Sequence, residues 1–486
     1  MPISCWIALA MAQDDPAPAP DPRDDEIFGP AEEPAPDPRD DEIFGSSEPE
    51  PEPEPQSEPA PTAPTGDRDE DLLGGGFQST ERALADKLTV LDDRFTIGGR
   101  MWVLAQANLS EGVDDPSQVT MDGPTRFDLY ADARPNDRVR AYASGRLTHD
   151  WSIRRGDTDP FTGEEIPVDT VLLDQLWVKF DVAHRVYVTA GKQRIRWGTG
   201  RFWQPTDFLN QQRLDPLAIV DVRTGVDLVK VHVPIESANS NVYAIANLAD
   251  AHALDEIGGA LRAETSFGQT ELTASAAARK DQPVKLGATA SSGLGPFDVS
   301  LEGAVQHGVT DPRWEGTLDP VALVFPTEVD VSDEWLVQVV GGLELSIAYG
   351  SDDSFAIGAQ GFYNQLGYDD ADLLGWLFLV NQYTPLYFGR AYAGGYVYVP
   401  APGRLNDHTF LGSVLVNVSD QSLVGRFDWR ATLMRYLDVN AFASVYGGGN
   451  GELHYSVEIP ASGTLTEPIV VPAPLATIGL SAIVRF

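Results

Sequence analysis

The last twelve residues, Leu475 to Phe486, read LATIGLSAIVRF. Ala476, Ile478, Leu480, Ala482, Val484 and Phe486 share one face of an extended strand, and Thr477, Gly479, Ser481 and Arg485 share the other. Such period-two alternation specifies a strand whose two faces meet different surroundings. A terminal strand that is apolar on one side and small or polar on the other suits a wall between lipid and water. A half-buried strand of a water-soluble sandwich would read the same way, so the rest of the chain has to decide.

Alternation recurs upstream. Phe127, Leu129, Ala131 and Ala133 alternate with Arg126, Asp128, Tyr130 and Asp132. Val139, Ala141, Ala143 and Leu147 alternate with Arg138, Arg140, Tyr142 and Arg146. Val299, Leu301, Gly303 and Val305 alternate with Asp298, Ser300, Glu302 and Gln306, and Leu423, Phe427, Trp429, Ala431 and Leu433 with Arg426, Asp428, Arg430 and Thr432. In water the charged face would point out; in a membrane it points in, toward a lumen. Connection lengths separate the two cases. Tight turns near 135–137, 183–185, 235–240, 267–269, 293–296, 350–353, 400–405 and 435–438 alternate with connections that are mostly long. A membrane barrel has this rhythm, and a Greek-key sandwich has no reason to keep it. The chain therefore predicts an all-β fold: a closed antiparallel transmembrane barrel of about 18 strands (16–18) over residues 93–486, with its C-terminus and N-terminal tail in the periplasm.

Composition agrees. The formal net charge of -39 disfavours a nucleic-acid partner. A single Cys gives neither a disulfide framework nor a cysteine metal site. No metal site and no cofactor is expected. No apolar run reaches the roughly 18 residues of a membrane helix.

Residues 1–12 contain a short apolar run, Ile3 to Ala12, ending in Ala10-Met11-Ala12, which reads as a signal peptide truncated at its basic end. Residues 13–76 hold 21 acids and 3 bases among many prolines and predict a disordered acidic tail. The tail repeats itself: Pro18–Gly29 and Pro34–Gly45 both read PAPDPRDDEIFG, and Arg68–Gly74 is a degenerate third copy. Each copy sets two apolar residues, Ile27-Phe28, Ile43-Phe44 and Leu72-Leu73, behind acids. The repeats read either as solvated low-complexity sequence or as a motif that docks a basic periplasmic partner, presented three times for avidity. Residues 77–92, with Ser79 to Leu91 at helical spacing, predict a short helix.

The densest motif is GKQRIRWGTGRFWQPTDFLNQQRLDPL, Gly191 to Leu217. Lys192, Arg194 and Arg196 share one parity and are expected to face the lumen. Val186, Val188 and Ala190 share that parity and look lipid-facing. Either a bulge near Gly191 reconciles the two, or Tyr187, Thr189 and Gln193 face out. The loop that follows either folds into the pore or gives its aromatics to the interfacial girdle. Together with Arg138, Arg140, Lys179, Arg201, Arg426 and Arg430, these three bases are the expected solute path. A wall rich in Arg attracts and orients anions.

Two resemblances follow. The terminal strand resembles that of Gram-negative outer-membrane barrels, which implies that Phe486 is an assembly signal read by the barrel-assembly machinery. The Arg194–Asn210 core with Asp215-Pro216-Leu217 resembles a signature of porin-like outer-membrane barrels, and the chain is loosely similar to the alginate-export type of 18-stranded barrel. That likeness implies a channel in outer-membrane lipid for small hydrophilic, anionic solutes, or alternatively an export pore for an anionic polysaccharide. A non-conducting tether or adhesin with a docking tail is a third reading. No catalytic residue is assigned: His149 with Asp150 and Ser152 lacks any distinctive spacing.

Overall fold

The computed structural model describes residues 89–90, 94–112, 119–158, 165–210, 212–319, 322, 324–349, 353–459 and 469–486. The readings for residues 1–88 lie outside them, apart from where that segment ends. Thr89–Val90, read from sequence as the close of a helix, are instead a two-residue strand paired with Phe95 and Thr96.

Eighteen long strands build the wall. The first nine are β1 Phe95–Ser110, β2 Pro124–Asn136, β3 Val139–Asp150, β4 Asp169–Val182, β5 Val186–Gln193, β6 Val226–Ile235, β7 Ser240–Asn247, β8 Gly258–Phe267 and β9 Thr270–Ala278. The second nine are β10 Val284–Leu294, β11 Phe297–His307, β12 Trp335–Tyr349, β13 Asp353–Asn364, β14 Ala391–Pro400, β15 His408–Asn417, β16 Ser422–Met434, β17 Leu437–Gly448 and β18 Pro474–Arg485. Each pairs antiparallel with the next, from β1–β2 to β17–β18. The ring closes through β18 and β1, with Arg100 opposite Arg485. Closure leaves no sheet edge to expose unpaired backbone groups to hydrocarbon.

The apolar face looks outward. Leu129, Leu147, Leu301, Phe427, Leu433, Ile478 and Leu480 are all exposed, while their neighbours Glu302, Thr477 and Ser481 are buried. Phe486 joins the outer face, its ring stacked on Phe127 at 5.3 Å, and its backbone N–H and carbonyl exchange hydrogen bonds with Gly99. The even strand count puts Phe486 and Thr89–Val90 at one rim, the rim of the short turns.

No register shift occurs at Gly191, where a bulge was one reading. β5 stays in register with β4 from Val186 to Lys192, and Thr189 and Gln193 are buried on the inner side. The bulge lies in β4 instead, where the register against β3 slips at Asp174. Exposed Val171 and Leu173 precede it and exposed Leu176, Val178 and Phe180 follow, so the outer parity changes there.

Gly191 itself has φ of +123°, and a Cβ there would stand 2.2 Å from the Leu176 carbonyl oxygen. Gly191→Ala is expected to cost about 2 kcal/mol or more of barrel stability, the scale of a left-handed non-glycine residue plus a backbone clash. A urea midpoint of the refolded variant equal to the wild type would contradict this.

Candidate functional site: a loop-narrowed lumen

After Gln193 the chain leaves the wall and returns only at Val226. The residues between turn into the barrel, and the apolar side chains of this loop rest on three inward-facing patches. Ile195, Trp197 and Leu209 pack with Val226, Leu228, Ile245 and Ala260. Phe202 and Trp203 pack with Val340, Phe362, Tyr392, Tyr396, Leu415 and Val424. Ile219 and Val220 lean on Trp102, Leu104, Phe442 and Ile483. Trp203 is fully buried and donates its ring N–H to the Leu386 carbonyl at 3.0 Å. Burying side chains of this size contributes about 1.5–3 kcal/mol each. The aromatics therefore belong to an inward loop and not to an interfacial girdle.

Glu302 of β11 anchors the loop's first half. One carboxylate oxygen accepts the N–H groups of Thr199 at 2.8 Å and Gly200 at 3.2 Å, and the other accepts the N–H and hydroxyl of Thr206, both at 2.8 Å. Gly198 allows the approach: its φ is +96°, and a Cβ would meet the Glu302 carboxylate at 2.7 Å. Asn210 and Arg223 both donate to Asp207, and Arg223 also grips Asp221, so the two halves of the loop are tied together.

Beneath the loop, toward the short-turn rim, lies a cavity of about 540 Å³. Six arginines line it: Arg100, Arg194, Arg196, Arg201, Arg430 and Arg485. Several are held from behind by carboxylates that do not themselves line the cavity. Arg100 donates to Asp128 at 2.8 Å, Arg194 to Asp174 at 2.8 Å, and Arg430 and Arg485 both to Asp438. Arg146 bridges Asp128 and Asp174. A guanidinium pinned this way is presented to the lumen at fixed geometry. Arg201 lies over the Tyr396 ring at 4.1 Å. Four carboxylates share the lining, Asp215 and Asp221 on the loop and Asp298 and Glu344 on the β11–β12 wall.

The predicted path residues divide. Arg194, Arg196, Arg201 and Arg430 meet at this cavity, and Arg426 lines an adjoining recess with Arg201 and Arg430. Arg140, over the Trp177 ring, and its cross-strand partner Lys179 face the lumen nearer the short-turn rim. Arg138 sits at that rim, paired with Asp181 at 3.2 Å. Lys192 is a correction: it lies on the outer face, opposite Leu176 and 3.9 Å from Asp227. The strand runs straight through Lys192, and only when the chain leaves the wall at Arg194 does the parity cease to govern where a side chain points.

Sequence reading missed Arg100, Arg485, Glu302 and Asp174 as site residues. Arg485 already stood on the polar face of the last strand. Arg100 shares its inner face with Trp102 and Leu104, which obscured the alternation. At the opposite rim, His149 pairs with Asp169 while Ser152 donates to Asp150, so the histidine and serine serve separate contacts.

The long-loop rim carries its own tie. Glu452, buried, accepts from Tyr383 Oη at 3.1 Å, Leu386 N–H at 2.6 Å, Tyr392 Oη at 2.6 Å and Asn417 Nδ2 at 3.0 Å. It joins the loop 449–473 to the loop 365–390, which carries the short helix α1, Leu374–Leu379. Burial, with Asp420 nearby, pushes the Glu452 carboxyl up to about 7 despite those donors.

No protein-family model matches the chain, and no curated protein is matched. Several solved structures are similar in outline, among them an outer membrane protein. OccAB1 of Acinetobacter baumannii is 13% identical, with 84% of this chain and 100% of that one covered at a TM-score of 0.49. OpdK of Pseudomonas aeruginosa is 10% identical, with 82% and 100% covered at 0.47, and OccK9 (OpdG) of the same organism is 10% identical, with 81% and 98% covered at 0.49. The closed eighteen-stranded wall, its apolar outer face and its polar interior entered by the loop after Gln193 make this chain a membrane-spanning β-barrel.

Proposed function

We propose that the barrel is a diffusion channel for small hydrophilic anions, carboxylates above all, with its short-turn rim in the periplasm. The observation that carries this is the set of six arginines around one cavity of about 540 Å³, against four carboxylates in the same lining; the planar guanidinium group suits carboxylate binding. An inward loop packed on three sides of the wall favours a small solute over a polymer.

The test is the reversal potential of the refolded barrel in a planar bilayer under a salt gradient. Anion preference is expected, and it should weaken in concentrated salt, where screening shortens from roughly 10 Å to 3 Å. Removing two of the six positive charges with Arg194→Gln and Arg201→Gln should lower the anion-to-cation permeability ratio roughly tenfold. A cation-preferring wild type, or a non-conducting one, overturns the reading.

A further inference from the structure

A second cavity, of about 240 Å³, lies on the other side of the inward loop, toward the long-loop rim. It shares no lining residue with the six-arginine cavity. The wall strands show what divides the two. On β12, Gln338 lines the outer cavity and Gly342 the inner one, and buried Val340 stands between them. On β13, Asn364 lines the outer cavity and Gln360 the inner one, with buried Phe362 between. Trp203 packs in one cluster with Val340 and Phe362, so the loop's anchoring tryptophan separates the cavities at this wall.

The outer cavity has its own chemistry. Arg213 of the inward loop and Arg313 of the loop 308–334 line it, against one carboxylate among the described residues, the exposed Asp311. Arg313 Nη1 donates to the Leu366 carbonyl at 2.8 Å, and Arg213 Nη1 lies 3.4 Å from the carbonyls of Gln204 and Asp207. The Asp207 carboxylate itself is taken by Arg223 and Asn210. Arg213 lies over the Tyr387 ring at 4.7 Å and Arg313 over the Tyr368 ring at 5.3 Å. Rings and backbone carbonyls therefore hold both guanidiniums, where carboxylates hold most of those in the inner cavity.

Amides supply the rest. Gln382 Oε1 accepts the Trp314 ring N–H at 2.7 Å, which leaves its NH₂ group as a donor to the cavity. Gln338 donates to Asn364 Oδ1 at 2.9 Å and Gln306 to the Gly308 carbonyl at 3.0 Å, which leaves both side-chain carbonyls as acceptors. A carboxylate only accepts, so the arginines suit it and those carbonyls do not. A hydroxyl both donates and accepts, so it can use every amide in the lining.

We propose that the outer cavity is a binding site for a small polyhydroxylated carboxylate, a sugar acid in chemical class. The carboxylate pairs with Arg213 and Arg313, and the hydroxyls exchange hydrogen bonds with Gln306, Gln338 and Gln382. A solute arriving from the long-loop side meets this site before the loop. The proposal rests on the channel reading for that place on a path, but not for binding.

The test uses the full refolded chain with Thr384→Cys as reporter and Cys5→Ser to remove the native thiol. Thr384 is exposed and lines the outer cavity. The readout is the rate at which an anionic methanethiosulfonate reagent modifies the new cysteine. Saturating D-gluconate should slow it at least about fivefold. Butyrate has the charge without the hydroxyls and D-glucose the hydroxyls without the charge, so each should slow it less than about twofold. Arg213→Gln and Arg313→Gln together should abolish protection by gluconate. Asp311→Asn removes the opposing carboxylate and should lower the gluconate concentration that gives half protection, a gain that a misfolded barrel does not produce. No protection by gluconate, or protection that survives loss of both arginines, overturns the site. Equal protection by butyrate overturns the sugar-acid assignment. Modification needs no current, so protection in a non-conducting barrel refutes the channel and keeps the site, whereas an anion-selective barrel without protection refutes the site alone.

Discussion

Glu302→Ala should loosen the loop that narrows the lumen, with larger and noisier single-channel currents and new tryptic cleavage at Arg196, Arg201 or Arg213. Four donors from Thr199, Gly200 and Thr206 converge on that one carboxylate. Hydrogen bonds to a charged group contribute about 1.5–3 kcal/mol each, so losing the set removes about 4 kcal/mol or more of anchoring even after partial rehydration. The apolar patches under Trp197 and Trp203 remain, so the barrel itself should still form. Local opening, not global unfolding, is the expected result. Glu302→Gln discriminates further. Its amide has one acceptor oxygen and turns an NH₂ toward two of the donors, so it should behave nearer to the alanine variant than to the wild type. Wild-type currents together with wild-type trypsin resistance in both variants would show that the loop is held by its aromatics alone.

The inward loop also marks where the wall could be read from sequence and where it could not. The alternation of β18, β2, β11 and β16 was legible because one face meets lipid and the other meets water or ion pairs. Leu301 and Glu302 are adjacent, one exposed and the other buried, as that rule requires. Strands that carry the loop's footprint lose the contrast. Leu336, Val340, Phe362, Tyr392, Leu415 and Val424 all point inward, because what they meet there is Phe202, Trp203 or other protein and not water. Two apolar faces read as a run with no period. The arginines of the cavity were legible as bases on inner faces, but their convergence was not. Arg430 and Arg485 meet at Asp438, and Arg100 reaches them only through the closure of β1 on β18, a pairing of chain ends that no local pattern encodes. Lys192 failed for the opposite reason, since a charged residue near the long-loop rim can face outward when a carboxylate partner such as Asp227 stands beside it.

Acidification should tighten the long-loop rim. Glu452 has four donors around it, yet it is buried and shares Asn417 Nδ2 with Asp420, so a second carboxylate faces it. Burial and that neighbour outweigh the donors and raise its carboxyl to about 7. The same surroundings push the Tyr383 hydroxyl well up, so Tyr383 stays a donor throughout the range. A carboxyl whose folded value is raised contributes stability that is fully present below its unfolded value. That contribution is lost as pH climbs through the folded one. The window therefore runs from about pH 4.5 to about pH 7, and the contact between loops 365–390 and 449–473 should weaken across it by on the order of 3 kcal/mol. Protection factors of the Leu386 and Glu452 amides, corrected for intrinsic exchange, should be higher at about pH 5 than at about pH 8. Glu452→Gln cannot ionise and should flatten the dependence, holding protection constant across the window. Protection that rises with pH in the wild type would mean that the tyrosine, amide and Asn417 donors outweigh burial, and that the ionised carboxylate holds the loops together.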